Sequence, residues 1–212
     1  EYYFISNFGE EVGSVLTYDE EYGDAKKRIS LAVTKPLNFI EKYITKKFKF
    51  SGEYPEMEVN VPQNGMAFYA TYPQTDFSVY MGAPMNPGIS ETLYNYFGKN
   101  FIGKNQVELT SGLLEFTQKA FAYKTDQAQF GYEKWFFPDE LFYYPFCDCE
   151  DRAALFSWLV YNIGKLDVVG ILFPGHMSTA VLFPVDVPGD CVFSHQKPTE
   201  QVYLGKRYFA LK

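Results

Sequence analysis

The sequence has few of the residues on which several large classes of protein depend. Only three of its 212 residues are cysteines, which excludes a disulfide framework and leaves at least one thiol unpaired. Lys and Arg number 19 against 26 Asp and Glu, and a net charge of −7 argues against a general nucleic-acid-binding protein. No apolar run approaches the roughly 20 residues of a membrane span. Aromatic side chains, in contrast, make up 19% of the residues, and the 47% hydrophobic content excludes disorder as the main state.

The start of the sequence gives an expectation about location. It begins at Glu1 and shows no basic segment followed by an apolar core, the pattern of a secretory signal peptide. We therefore expect a processed product from which any signal has been removed. Few cysteines with abundant tyrosine are typical of exported proteins, which predicts a periplasmic or extracellular location.

Residues 1–88 have the pattern of a β-rich region. Short runs of β-forming residues alternate there with Pro, Gly and Asn-Gly turn signals. The segment 37–50 is ambiguous, because its apolar spacing suits a helix while 43–50 also reads as an alternating strand. The predicted strands of this region are 28–33, 57–61, 66–72 and 77–81.

Helices are predicted after residue 88, where a second domain, 89–212, is expected to begin. Apolar residues recur at helical spacing over 89–101 and 107–121, and Asn105 with Glu108 forms a capping-box pattern before the second helix. The segment 149–163 is apolar almost all round, which predicts a central, buried helix.

The last part of the sequence has the pattern of strands. Strands are expected over 168–173, 176–183 and 191–194, and 202–211 reads as a hairpin interrupted at 205–206. Helices followed by strands with short connections predict an α+β fold with an antiparallel sheet.

Cys149 and His176 are the candidates for a reactive pair. Cys149 begins the predicted buried helix, where unpaired N–H groups and the helix dipole favour a thiolate. Negative charges at Asp148, Glu150 and Asp151 oppose this by raising a thiol pKa, so a nearby imidazolium is needed. His176 begins a predicted strand, and a helix-borne cysteine beside a strand-borne histidine suits a thiolate–imidazolium pair. From these residues alone, a small buried cysteine and a hydrogen-bonded core histidine explain the pattern as well.

Several motifs occur in an order typical of one superfamily. Gly131 and Trp135 precede Pro138-Asp139-Glu140, and residues 148–153 then read Asp-Cys-Glu-Asp-Arg-Ala at a predicted helix start. Residues 174–181, which read Pro-Gly-His-Met-Ser-Thr-Ala-Val, follow as the histidine-bearing strand. Over about residues 106–212 this order resembles the transglutaminase-like cysteine proteinase superfamily, and bacterial transglutaminase-like proteins in particular.

The resemblance implies a papain-like core with Cys149 as nucleophile and His176 as general base and acid. The third member of such a site is an Asp or Asn on the following strand, which orients the imidazole. Asp190 is the candidate within the sequence, although it lies in a Pro- and Gly-rich turn, and the alternative is an orienting residue beyond a truncated C-terminus. The Cys149 N–H would supply one oxyanion donor, and Gln129 or Trp135 a second.

The acidic residues beside Cys149 allow two interpretations. Asp148, Glu150 and Asp151 offer hard oxygen ligands around a loop-to-helix turn and could hold Ca²⁺, and some bacterial proteins with a similar motif are calcium-dependent proteases. Alternatively, Asp148 and Asp151 cap the helix while Arg152 pairs with an acid. No zinc-like Cys/His spacing and no Gly-rich phosphate loop is present, so no cofactor is required.

A second thiol stands close to Cys149. Cys147 is too near it in sequence for an ordinary disulfide. Cys147 is therefore expected to be free or paired elsewhere, for which Cys191 is the candidate.

The sequence supports two functions of different class. The first is a transglutaminase-like thiol enzyme that transfers an acyl group from a peptide or protein amide to Cys149. Water or an amine then resolves the thioester, and proteolysis is favoured because hydrolysis needs no site for a second substrate. The alternative is a non-catalytic transglutaminase-like module that binds protein or carbohydrate through an aromatic-rich surface.

Overall fold

The structure is a computed structural model that describes residues 2–5, 11–15, 32–36, 42–173, 176–184, 199–203 and 206–211. The strand predicted over 191–194, and most of the one predicted over 28–33, lie outside these residues. Among the described residues, no helix combines the length and apolar character needed to cross a bilayer.

Helices form most of the central part of the chain. A 3₁₀ helix at Pro138–Phe142 precedes the last α-helix, and a π-helical turn at Val160–Gly164 ends it. The α-helices are α1 at Gln63–Tyr69, α2 at Phe77–Met81, α3 at Pro87–Asn100, α4 at Gln106–Lys119, α5 at Asp126–Gln129 and α6 at Cys149–Leu159.

Among the described residues, strands pair into one four-stranded antiparallel sheet and three two-stranded ones. The strands are β1 at Tyr2–Ile5, β2 at Glu11–Val15, β3 at Tyr43–Phe48, β4 at Met57–Pro62, β5 at Ala122–Tyr123, β6 at Phe146–Cys147, β7 at Asp167–Phe173, β8 at His176–Leu182, β9 at Thr199–Tyr203 and β10 at Lys206–Leu211. The large sheet has the order β7-β8-β10-β9, and β1-β2, β3-β4 and the parallel pair β5-β6 stand apart from it. The chain is therefore α+β, as predicted.

Local capping explains why helices α3 and α4 begin where they do. The Asn86 side chain accepts a hydrogen bond from Gly88 N–H at 2.9 Å, ahead of α3. At α4, Asn105 and Glu108 form the predicted capping box, with reciprocal bonds of 2.9 and 3.0 Å. Each cap satisfies N–H groups that the first helical turn leaves without an acceptor.

Two of the four strands predicted before residue 88 are wrong. Residues 63–69 and 77–81 form helices α1 and α2, because their apolar residues recur at the spacing of a helix face. In α2, Asp76 adds a side-chain N-cap by accepting from Ser78 N–H at 2.8 Å. Packing of these faces overrides the β propensity of the aromatic and β-branched residues. The ambiguous segment, in contrast, forms strand β3.

Helix α6 occupies the centre of the hydrophobic core. Residues 153–159 are all buried, and the helix packs against α2, α4 and strands β7 and β8. The same core contains Val59 and Met66 together with Ile89 and Phe156, so it is shared across the boundary expected near residue 88.

Aromatic rings fill much of this core. Phe116 is fully buried, and its ring contacts those of Phe50, Phe97, Phe121 and Phe142 with centroids 5.3 to 6.5 Å apart. Most of these pairs are edge-to-face, the arrangement that aromatic quadrupoles favour. Much of the aromatic excess in the sequence is therefore core material.

Truncating the central ring should destabilise the fold strongly. We expect Phe116→Ala to lower the free energy of unfolding by about 3 to 5 kcal/mol, because it removes a large buried side chain and leaves a cavity. Urea unfolding followed by fluorescence measures this. The control is Tyr132→Ala, which removes a ring that is 59% exposed and should change stability by less than about 1 kcal/mol. Equal effects of the two variants would contradict the packing described here.

Candidate active site

Cys149 is the first residue of helix α6, directly after its N-cap Asp148. The Asp148 N–H donates to Asp151 Oδ2 at 3.1 Å, and the Asp151 N–H donates to the Asp148 carboxylate, so the two form a capping box. The predicted capping role of Asp148 and Asp151 is confirmed. The cap fixes the start of the helix and with it the position of the Cys149 sulfur.

The Cys149 thiol is in its protonated form in this arrangement. Burial raises its pKa to about 12, and a 2.9 Å hydrogen bond from Sγ to Glu150 Oε2 adds to the rise. Hydrogen bonding from the backbone of Met177 acts in the opposite direction and lowers the pKa in part. Burial of the sulfur, and after it the neighbouring carboxylate, therefore favour the thiol over the thiolate.

Cys149 and His176 lie on the same cavity, whose volume is about 340 Å³. His176 is the first residue of β8, where it pairs with Phe173 of β7, and it is exposed. The cavity lies between α4, the start of α6, β5 and the start of β8. Its other lining residues are Leu114, Thr117, Gln118, Tyr123, Arg152, Ala153, Phe156, Met177, Ser178 and Thr179.

Neither of the two predicted oxyanion donors lines this cavity. Asp190 lies outside the described residues. Trp135 is buried, and its Nε1 donates to Glu133 Oε1 at 3.0 Å while its ring faces a different cleft. Both side-chain amide atoms of Gln129 are buried and have no hydrogen-bond partner among the described residues. The structure thus places Cys149 and His176 on one cavity, which neither oxyanion candidate lines.

A trio of buried carboxylates lies behind the start of helix α6. One oxygen from each of Asp126, Asp148 and Asp151 lies within 4.8 Å of the others, a spacing that a single divalent cation can bridge. Asp148 Oδ1 is buried and has no hydrogen-bond partner among the described residues. Glu150, which the sequence suggested as a ligand, instead bonds to the Cys149 sulfur. Asp126 takes its place, and no motif in the sequence linked it to residues 148–151.

Burial disfavours the ionised form of the three carboxyl groups. It raises the pKa of Asp126 and of Asp148 to about 7, and that of Asp151 well above its usual value. The negative neighbours add to each rise. Backbone N–H groups oppose it, since Lys134 N–H donates to Asp126 Oδ2 at 2.7 Å and Phe136 N–H donates to Asp151 Oδ1 at 2.9 Å.

Arg152 also lies at the site, with partners other than the acid predicted for it. Its Nε donates to Cys147 Sγ at 3.4 Å and its Nη2 to the Phe121 carbonyl at 2.8 Å, while the guanidinium lies over the Tyr123 ring. Cys147 is a free, buried thiol. The candidate partner Cys191 lies outside the described residues.

No protein-family model, curated protein or solved structure matches this chain. The resemblance to transglutaminase-like proteins therefore stays a prediction, and the function has to be argued from the geometry of the site.

Removing the Glu150 carboxylate should make Cys149 more reactive. In Glu150→Gln the sulfur loses a charged hydrogen-bond acceptor, so its pKa falls and more thiolate is present at a given pH. We expect the iodoacetamide alkylation rate of Cys149 at pH 8 to rise roughly tenfold for each unit by which the pKa falls.

Peptide-resolved mass spectrometry measures this rate against pH. In the unchanged protein, the rate should still be climbing above pH 9, since the thiol pKa is far above that value. Glu133→Gln is the matched control, because its carboxylate bonds to Trp135 and not to the thiol. Equal rates in all three proteins would show that Glu150 does not hold the thiol proton.

Proposed function

We propose that this chain is a thiol enzyme of transglutaminase-like type, a cysteine peptidase that forms an acyl-enzyme on Cys149 and uses His176 as general base and acid. The observation that carries this proposal is that these two side chains, distant in sequence, line one cavity. A nucleophile at a helix start beside a strand-borne imidazole is an arrangement that supports acyl transfer.

The reaction follows from the chemistry of the two groups. The thiol proton passes to the His176 imidazole, and the sulfur attacks the carbonyl carbon of an amide. The C–N bond then breaks, and the imidazolium returns the proton to the leaving amine. Water, deprotonated by the imidazole, then attacks the thioester carbonyl. The C–S bond breaks, the acid is released, and the imidazolium returns its proton to the Cys149 sulfur. The Cys149 N–H is among the first of helix α6, which have no acceptor within the helix, and it is the natural donor to the developing oxyanion.

Glu150 helps to determine the protonation state of the sulfur from which this reaction starts. Its carboxylate holds the proton on sulfur, so transfer to His176 has to accompany a change in that hydrogen bond. Substrate entering the cavity excludes water and brings a carbonyl to the sulfur. Without water, an isolated thiolate is less stable, so the charged thiolate–imidazolium pair is favoured only where the imidazolium lies close to the sulfur.

Substitution of the pair tests the proposal. We expect the purified protein to cleave peptides in a tryptic digest of casein and to carry a transient acyl adduct on Cys149, both detected by mass spectrometry. Cys149→Ala should abolish cleavage and adduct, and His176→Asn should slow cleavage at least about a thousandfold. Lys119→Gln, which alters an exposed residue of α4 that does not line the cavity, is the control and should cleave within a few-fold of the unchanged protein. Cleavage that survives Cys149→Ala would refute the proposal.

A binding module is the alternative, favoured by a second cleft. This cleft of about 180 Å³ is lined by aromatic rings, including Tyr69, Tyr80, Tyr132 and Trp135. Such rings present flat apolar faces with polar edges to a peptide or a sugar. A protein that turns over no peptide and forms no adduct on Cys149, yet retains a casein peptide or a soluble polysaccharide through this cleft, would be such a module.

We further propose that the carboxylate trio binds Ca²⁺. Two observations support this proposal: the three oxygens are close enough for one ion, and Asp148 Oδ1 is buried without a hydrogen-bond partner among the described residues. Burying several carboxylates together without a cation or a proton is unfavourable.

Calcium should therefore stabilise the protein in a pH-dependent way. Thermal unfolding with Ca²⁺ in 100-fold excess over its Kd should show a gain of about 2.7 kcal/mol relative to EGTA. The gain should be large at pH 8 and small at pH 5, because Asp126 and Asp148, with pKa values of about 7, must lose their protons to bind the ion. Asp126→Asn should remove most of the gain, and Asp167→Asn, outside the trio, should retain it. An unchanged melting temperature at both pH values would refute the cation site.

A further inference from the structure

Arg152 stands one helical turn after Cys149 and lines the same cavity. Residues three apart on a helix present their side chains to the same face, with Cβ atoms about 5 to 6 Å apart. Among the described lining residues, Arg152 is the one with a permanent charge. The others are apolar, such as Leu114, or carry a hydroxyl group, such as Thr117, apart from the Gln118 amide, the Cys149 thiol and the His176 imidazole.

The contacts of the guanidinium hold it in place without neutralising it. They are the Cys147 sulfur, the Phe121 carbonyl and the Tyr123 ring. Within the described part of the chain, no carboxylate forms an ion pair with Arg152.

The nearby carboxylates are engaged elsewhere. Glu150 accepts from the Cys149 thiol, and Asp151 accepts from the N–H groups of Asp148 and Phe136. A partly buried cation without a counter-charge is unfavourable, and an anion entering the cavity would relieve that cost.

The guanidinium N–H groups without an acceptor among the described residues indicate which kind of anion binds. The Nε and one Nη are engaged by the sulfur and the carbonyl, and the remaining N–H groups have no acceptor among the described residues. A planar fork of N–H donors matches the two oxygens of a carboxylate.

We propose that Arg152 is a specificity-determining residue, which binds a carboxylate of the substrate close to the carbonyl that Cys149 attacks. The inference rests on the proposed acyl transfer at Cys149. The carboxylate comes from an Asp or Glu side chain or from a free peptide C-terminus, and either lies within one residue of the scissile amide. Neutral peptides of the same length are poorer substrates, because they leave the guanidinium without a partner.

Alkylation with two small probes tests Arg152 without requiring turnover. Iodoacetate is an anion and iodoacetamide is its neutral analogue, and both react with the same thiolate. The ratio of their rates at Cys149 therefore cancels the thiolate fraction and reports on the charge that surrounds the incoming probe. We expect Arg152→Gln to lower this ratio roughly tenfold, the size of one charge-assisted hydrogen bond. Arg152→Lys keeps the charge but loses the planar fork, so its ratio should lie between the two.

Lys124→Gln is the matched control, because it removes one positive charge from the residue next to Tyr123 and does not line the cavity. Its ratio should stay within about twofold of the unchanged protein, because Lys124 is half-buried over the Phe146 ring and is not among the residues that line the cavity. A ratio unaffected by Arg152→Gln, or lowered as much by Lys124→Gln, overturns the proposal. Thermal unfolding of each variant shows that the comparison is made on folded protein.

Protection of Cys149 from iodoacetamide distinguishes the two sources of carboxylate. N-acetyl-Gly-Gly is compared with its C-terminal amide, and N-acetyl-Glu-Gly-amide with N-acetyl-Gln-Gly-amide. The anionic member of at least one pair should protect about tenfold more strongly, and Arg152→Gln should abolish the difference. No difference within either pair overturns the proposal. Failure of the proposed function shows separately, as cleavage that persists in Cys149→Ala.

Discussion

The arrangement of the rest of the site depends on the burial of the start of helix α6. A helix that is apolar almost all round must lie in the core, and its first turn carries N–H groups that need acceptors. Asp148 and Asp151 supply them through the capping box. Carboxylates brought into the core need donors in turn, and the backbone of residues 134–136 provides these. The thiol, the acidic trio and the loop before the helix are consequently one connected polar structure inside an apolar core.

Patterns confined to a few residues were predictable from the sequence. The capping box at Asn105 and Glu108, the apolar period of 149–163 and the strand that begins at His176 depend on neighbours along the chain, and each has its counterpart in the structure. Segments 66–72 and 77–81 were predicted wrongly. Their aromatic and β-branched residues favour strands locally, whereas burial of one face against the core requires helices.

The parts of the site that escaped prediction depend on contacts between distant segments. Asp126 joins Asp148 and Asp151 only because α5 and the start of α6 meet in the fold. The sequence pointed to Glu150 as a ligand because it is adjacent, but the direction of a side chain at a helix start decides its partner, and here it faces the thiol. Arg152 was expected beside an acid, yet the neighbouring strands β5 and β6 offer it a ring and a sulfur.

The segment between Glu133 and Phe137 links the aromatic cleft to the carboxylates behind Cys149. Trp135 faces the aromatic cleft, while the N–H of the next residue, Phe136, holds Asp151 behind Cys149. Lys134 anchors the segment through a buried 2.6 Å ion pair with Glu140. Trp135 and Phe136 are adjacent, so a single peptide bond separates the wall of the aromatic cleft from the N–H group that holds Asp151 at the start of helix α6.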